Sequence, residues 1–168
     1  MHHHLFDHID IDPKNIHIPD GTLKAEDIEN FCKEYERQIE AAGGIDIQVL
    51  GIGRTGHIGF NEPGSPLTSK TRMVYLDDLT IKDAAGDFGG MENVPSRAIT
   101  MGVGTIMKAR KVILLAWGEK KASIIKATVE GSVSDAVPAT FLQVHPNVQF
   151  VIDESAAEEL TRANQPWL

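Results

Sequence analysis

The chain has few of the features that mark secreted, membrane-bound or nucleic-acid-binding proteins. Cys32 is the only cysteine among its 168 residues, so no internal disulfide can form, and no apolar run is long enough to span a bilayer. The start of the chain lacks the basic and then apolar pattern of a secretory signal. Only 16 basic residues stand against 24 acidic ones, and a net charge of -8 disfavours a surface that follows nucleic-acid phosphates. We therefore expect a cytoplasmic protein whose partners include neither a membrane nor a nucleic acid.

The composition is that of a globular protein with a hydrophobic core, because apolar residues make up 42% of the chain and charged residues 24%. No repeat, low-complexity tract or interdomain linker divides the sequence, so we expect a single domain over residues 1–168. Histidines crowd the opening MHHHLFDH, but metal ligands must be fixed by a fold, and we predict no metal site there.

Apolar spacing predicts alternating helices and strands. The stretch 20–44 has helical spacing, with Thr22 as the expected N-cap and two glycines, Gly43 and Gly44, as the stop. Short apolar runs predict buried parallel strands at 46–50, 98–101, 111–117 and 148–153, and helical spacing recurs at 103–109, 119–131 and 155–162. This order predicts an α/β fold, with a Rossmann-like parallel sheet covered by helices on both faces.

Glycine-rich loops follow three of the predicted strands, in GIGRTGHIGF (51–60), GVG (102–104) and GEKK (118–121). Ligands of such sheets bind beyond the carboxyl ends of the strands, so we expect these loops to form one site. Gly53 and Gly56 would let backbone N–H groups approach a phosphate or hydroxyl, although a plain turn would use them as well. The dinucleotide fingerprint is incomplete, so the pattern does not indicate a nicotinamide cofactor.

His57 is the strongest catalytic candidate, because histidine exchanges protons near neutral pH and this one lies in a glycine-rich loop. Glu62 follows five residues later, beside Asn61, and a carboxylate there can orient an imidazole. Lys121 and Arg72 are candidate anion ligands, and Ser65 offers a hydroxyl. A structural histidine, a solvated glutamate and solvated basic residues would fit the same spacing, so both interpretations stay open at this point.

Several of these stretches together resemble the glucosamine-6-phosphate deaminase family: GIGRTGHIGFNEPGS, SKTR, VPSRAITMGVGTIMKARKVILLAWGEKKA, VEG and LQVHPNVQFVIDE. The resemblance runs from about Phe6 to Arg162, and GHIGFNEP is its most specific block. The related 6-phosphogluconolactonases share a glycine-rich DGH turn but continue without FNEP. The resemblance implies conversion of glucosamine 6-phosphate and water to fructose 6-phosphate and ammonium in amino-sugar catabolism, without a metal or organic cofactor.

The resemblance also implies roles for individual residues. His57 would be the acid and base that opens the sugar ring, and Glu62 would orient it. The small-molecule partner would be a sugar phosphate, held by Gly53, Thr55, Gly56, Asn61 and Lys121, with the phosphate on Lys121. Ser65 and Arg72 match positions that bind the allosteric activator N-acetylglucosamine 6-phosphate in regulated members.

Three positions depart from the family pattern. Thr55 stands where many members have an aspartate, so we expect His57 to depend more on Glu62. The stretch DAAGDFGG (83–90) has no arginine where the family carries one that binds phosphate, and Val74 stands where a lysine is expected.

The resemblance is to the carboxyl-terminal part of the deaminase domain. We therefore expect a partial domain without the family's amino-terminal strands, and a chain that is weak or inactive by itself. An uncovered sheet edge would favour self-association, so formation of a homo-oligomer is left open. Two other functions remain as alternatives: a non-catalytic sugar-phosphate sensor and, disfavoured by FNEP, a 6-phosphogluconolactonase-like hydrolase.

Overall fold

The computed structural model describes residues 1–161, in which α-helices and strands alternate except that β2 follows β1 directly. The strands are β1 (Ile47–Leu50), β2 (Arg72–Tyr75), β3 (Arg97–Thr100), β4 (Lys111–Ala116) and β5 (Val148–Ile152). The α-helices are α1 (Ala25–Ala41), α2 (Asp78–Ala84), α3 (Val103–Ile106), α4 (Ala122–Glu130) and α5 (Glu154–Ala157). Short 3-10 helices span Phe6–His8, Pro13–Asn15, Met91–Asn93, Glu119–Lys121 and Pro138–Val144.

A parallel sheet in the order β1-β4-β5 forms the centre of the fold. Leu50 of β1 is paired with Leu114 of β4, so the two strands deliver their carboxyl ends to the same edge. The central strand β4 is buried at every second residue, at Val112, Leu114 and Ala116. The predicted α/β fold, a parallel sheet flanked by helices, is confirmed.

The hydrophobic core reaches directly to the loop after β1. Ile106 of α3 and Ile125 of α4 pack in one cluster with Leu114, and all three side chains are at most 1% exposed. Ile58 belongs to the same cluster and is fully buried. Because Ile58 follows His57 in the chain, core packing holds the backbone on one side of the candidate catalytic residue.

The strand predicted at 98–101 does not join the parallel sheet, so that prediction was wrong. β3 pairs antiparallel with β2, with Arg72 opposite Thr100, in a separate two-stranded sheet. The glycines of 102–104 then pack against the preceding turn: the N–H of Gly104 donates to the carbonyl of Ser69 at 2.8 Å, and a Cβ on Gly102 would overlap that carbonyl. This third loop therefore serves packing of the turn and lies outside the cleft of the candidate site.

Helix boundaries differ from the predictions where local hydrogen bonds intervene. The carboxylate of Asp20 accepts from the backbone N–H and the hydroxyl of Thr22, so Thr22 belongs to a turn and α1 begins at Ala25 instead. The helices predicted at 103–109 and 155–162 end earlier, as α3 and α5, and position 162 lies outside the described residues. Within residues 1–161, none of the helices has both the length and the apolar character needed to cross a bilayer.

Glu36 ties α1 to β2 and α3 through a buried carboxylate. Its Oε1 accepts from the backbone N–H of Thr71 at 2.8 Å, from the Thr71 hydroxyl at 2.5 Å and from the Thr105 hydroxyl at 2.6 Å. Burial acts to raise the pKa of Glu36, but the hydrogen bonds from Thr105 and Thr71 outweigh it, and the pKa lies below the ordinary glutamate value.

We expect Glu36→Ala to lower the free energy of unfolding by about 1–3 kcal/mol at pH 7, because it leaves the buried donors of Thr71 and Thr105 without an acceptor. A carboxyl with a depressed pKa stabilises the folded state above its unfolded pKa, and this contribution is lost as the pH falls through the folded pKa. The deficit of the variant should therefore shrink below about pH 4. Urea unfolding at pH 7 and at acid pH measures this, with exposed Glu40→Ala on the same helix as the control. Equal stability of the two variants at pH 7 would contradict the assignment.

Candidate active site

A cleft of about 380 Å³ opens at the carboxyl edge of the parallel sheet. The loop after β1 forms one wall, the segment after β4 brings Lys121, and α2, which the sequence did not predict, closes a third side. The cleft is lined by Gly51, Ile52, Gly53, His57, Gly59, Thr80, Asp83, Ala84 and Lys121. Two of the three predicted loops thus meet at one site.

His57, which lines this cleft, forms a hydrogen-bonded pair with Glu62. Nδ1 of His57 lies 3.0 Å from Oε2 of Glu62, and the two side chains are 15% and 14% exposed. A carboxylate can only accept, so Nδ1 carries the proton that this hydrogen bond needs. No hydrogen bond to a residue in 1–161 occupies Nε2 of His57. The pair therefore leaves one ring nitrogen ready to take a proton from a ligand, with a carboxylate behind it to stabilise the charge that forms.

Two threonine hydroxyls hold both oxygens of the Glu62 carboxylate. The Thr55 hydroxyl donates to Oε2 at 2.8 Å and lies 3.0 Å from Nδ1 of His57, while the Thr80 hydroxyl donates to Oε1 at 2.5 Å. Thr55 thus takes part in the pair although it replaces a carboxylate of the family pattern. We call Thr55 and Thr80 the hydroxyl pair.

Thr80 is the site residue that the sequence did not reveal. It lies on α2, whose start is marked by Asp77: the Asp77 carboxylate accepts from the backbone N–H of Leu79 at 2.8 Å. That N-cap signal in LDDLTIKDA could have predicted the helix. It could not have shown that the helix sets a hydroxyl against Glu62, because the contact depends on tertiary packing.

The glycines beside His57 are required by close packing. The N–H of Gly53 donates to the carbonyl of His57 at 3.0 Å, and a Cβ on Gly53 would overlap the imidazole ring. Gly56 has a φ of +79°, and a Cβ there would press on Val137. That these two residues also contact a substrate stays a prediction.

Asn61 is a buried link between the loop after β1 and Arg72. Its Nδ2 donates to the carbonyls of Ile58 and Met101 at 2.9 and 2.8 Å, and its Oδ1 accepts from Arg72 at 2.8 Å. The side chain is fully buried and is not among the residues that line the cleft, which favours a positioning role.

Ser65 and Arg72, the predicted allosteric residues, are in contact. Nη2 of Arg72 donates to the Ser65 hydroxyl at 3.1 Å, and burial lowers the pKa of Arg72 from its usual value. Their role in binding an activator stays a prediction.

Lys121 reaches the cleft from the end of β4. Its Nζ donates to the carbonyl of Ile52 at 2.7 Å, beside the His57 loop. Burial lowers the pKa of Lys121, with Asp83 acting in the opposite direction and Arg54 adding to the decrease.

Across residues 1–161, no group of three or more histidine, cysteine, aspartate or glutamate side chains is arranged to hold a metal ion.

Comparison with known proteins gives the family. The family described as glucosamine-6-phosphate isomerases/6-phosphogluconolactonase matches residues 1–151. The chain belongs to this family. Within the family, it is similar to the glucosamine-6-phosphate deaminase of Shewanella woodyi, at 56% identity over 161 residues. A solved structure of a monomeric glucosamine-6-phosphate deaminase superposes with a TM-score of 0.91 at 41% identity, over 95% of the chain.

The chain spans only part of the length of these family members. It covers 60% of the Shewanella protein and 65% of the solved deaminase chain. It covers 25% of a glucosamine-6-phosphate deaminase-like protein of Bacteroides thetaiotaomicron, to which it is 54% identical. Likeness to the 6-phosphogluconolactonase of Trypanosoma brucei is weaker, with a TM-score of 0.61 at 24% identity, and shows the shared fold alone.

We expect Gly53→Ala to displace the His57 imidazole, since the added methyl group occupies the space of the ring. Histidine resonances followed by NMR should show a change at His57, with the fold retained. Gly21→Ala is the control, because a Cβ there meets open space. An unchanged His57 resonance in Gly53→Ala would show that the ring does not rest on this glycine.

Proposed function

We propose that the protein converts glucosamine 6-phosphate and water to fructose 6-phosphate and ammonium. The observation that carries the proposal is the His57–Glu62 pair, whose histidine lines one cleft with Lys121. Relatives that share 56% and 52% sequence identity with the chain are called glucosamine-6-phosphate deaminases, which supports the same reaction. We also propose a cytoplasmic location, since a chain with a single cysteine forms no internal disulfide.

Opening of the sugar ring is the step that we assign to His57. Nε2 takes the proton of the anomeric hydroxyl and returns a proton to the ring oxygen, while the bond between the anomeric carbon and that oxygen breaks. One proton moves from one oxygen to the other, and an open-chain aldehyde forms. Glu62 stabilises the imidazolium that exists between the two transfers, and the hydroxyl pair holds Glu62 in place.

Lys121 is the residue that we assign to the phosphate. It is held at the carbonyl of Ile52, so its ammonium group lies on the same loop backbone that carries His57. A fixed cation there favours the dianionic phosphate and sets the distance between the phosphate and the reacting carbon. The overall net charge of -8 makes such a local cation necessary for an anionic substrate.

We expect His57→Ala and Glu62→Gln to lower ammonium release from glucosamine 6-phosphate by about 100-fold or more, since proton transfer by a positioned side chain contributes about 10²–10⁴-fold. The assay uses the protein at the full length that its gene encodes. Exposed His17→Ala is the control for the loss of a histidine and should release ammonium at the wild-type rate. Wild-type rates in both site variants would refute the assignment.

We expect Thr55→Val to lower kcat about 10- to 100-fold and to leave KM nearly unchanged, because it removes a hydrogen bond to a charged group without touching the phosphate. Thr55→Ser, which keeps the hydroxyl, should restore most of kcat. Ammonium release over a range of substrate concentrations gives both constants. A valine variant that matches the serine variant would mean that the Thr55 hydroxyl does not support the pair.

A non-catalytic sugar-phosphate sensor is the second candidate. It is favoured by Thr55 in place of an aspartate and by the absence of arginine from 83–90. Calorimetric binding of glucosamine 6-phosphate without release of ammonium would select the sensor.

A lactone hydrolase is disfavoured by FNEP. An assay for hydrolysis of 6-phosphogluconolactone tests this function.

A further inference from the structure

The stretch 83–90 lacks the arginine expected of a phosphate site, yet its first residue binds an arginine from across the cleft. The carboxylate of Asp83 accepts from Nε of Arg54 at 2.9 Å and from Nη2 of the same guanidinium. Arg54 follows Gly53 in the loop after β1, three positions before His57. The loop and α2 are thus joined by a bidentate ion pair at the rim of the site.

Asp83 orients Arg54 without using all of its donors. The guanidinium has five N–H groups, and the ion pair uses Nε and one hydrogen of Nη2. Nη1 of Arg54 makes no hydrogen bond to residues 1–161. The free edge of a fixed guanidinium matches the geometry of phosphate oxygens better than an ammonium does.

The surroundings of Arg54 carry excess positive charge. A cavity of about 530 Å³ is lined by Arg54, Asp83, Lys120 and Lys121, which are three cations and one anion. Asp83 and Lys121 also line the cleft of His57, so the two spaces adjoin. A local charge of this sign contrasts with the chain's net charge of -8 and suits a dianion.

We propose that Arg54 and Lys121 bind the phosphate together, with Arg54 taking the place of the arginine missing from 83–90 and Asp83 holding it there. The phosphate lies between the two cations, and the sugar extends from it past Asp83 to His57. This assignment rests on the proposed function, because it gives the phosphate of the same substrate a second ligand. Arg54 is a specificity residue in this account: it selects phosphorylated sugars.

Calorimetry with the full-length protein tests the subsite without requiring turnover. Fructose 6-phosphate and inorganic phosphate are the probes, and unphosphorylated fructose is the ligand control. Arg54→Ala should weaken binding of fructose 6-phosphate about 10- to 100-fold and abolish competition by phosphate. Arg54→Lys should bind fructose 6-phosphate more tightly than Arg54→Ala but more weakly than the wild type, since lysine keeps the positive charge but cannot make the bidentate contact of a guanidinium.

Arg110→Ala is the matched control variant, because Arg110 also pairs with an aspartate, Asp46, on an exposed surface. It precedes β4 and so lies at the opposite edge of the sheet from the cleft. Exposed ion pairs contribute little to stability, so both alanine variants should fold. Fructose 6-phosphate binding by Arg54→Ala that equals that of Arg110→Ala would overturn the proposal.

The subsite and the proposed function can fail separately. If the wild-type protein releases no ammonium but its binding of fructose 6-phosphate depends on Arg54, the subsite stands and the reaction falls. If ammonium release is present and Arg54→Ala leaves KM for glucosamine 6-phosphate unchanged, the reaction stands and the subsite falls.

Discussion

The hydrogen bond from Nδ1 of His57 to Glu62 is the interaction on which the whole site depends. It fixes the proton on one ring nitrogen and so decides which nitrogen can serve a ligand. Everything around it preserves this geometry: Ile58 anchors the loop in the core, Gly53 leaves room for the ring, and the hydroxyls of Thr55 and Thr80 hold the carboxylate. A site of this kind needs a rigid frame more than it needs extra reactive groups.

The hydroxyl pair explains how the site tolerates threonine where the family pattern has a carboxylate. Two carboxylates within about 3 Å repel each other and raise a pKa, whereas the Thr55 hydroxyl adds no charge and donates to Glu62. Glu36 is likewise stabilised by uncharged donors, because threonine hydroxyls and a backbone N–H donate to its buried carboxylate. The cations Arg54, Lys120 and Lys121 instead line the cavity that adjoins the cleft.

Much of this arrangement could be predicted from the sequence, and the remainder depends on contacts between distant segments. Apolar runs predicted the parallel strands. Because ligands bind beyond the carboxyl ends of such strands, the sequence also predicted that His57 and Lys121 share one site. The antiparallel pairing of β2 with β3 was not predicted, because 98–101 has the composition of a buried parallel strand. Its actual orientation depends on which strand it pairs with, and that is not visible in the local sequence. The sequence also did not predict the role of Thr80 or the contact of Arg54 with Asp83. Both depend on which side chains of α2 face the loop after β1, and no local pattern shows this.

The central proposal is that a sugar phosphate binds in the cleft between the loop after β1, α2 and Lys121. The most direct test is a crystal structure with fructose 6-phosphate bound. We predict that the sugar lies within hydrogen-bond distance, about 2.7–3.2 Å, of Nε2 of His57, with its phosphate at Nζ of Lys121. A sugar phosphate found instead in the larger groove between α1 and β2, which holds about 550 Å³ beside Cys32 and Met73, would contradict the account.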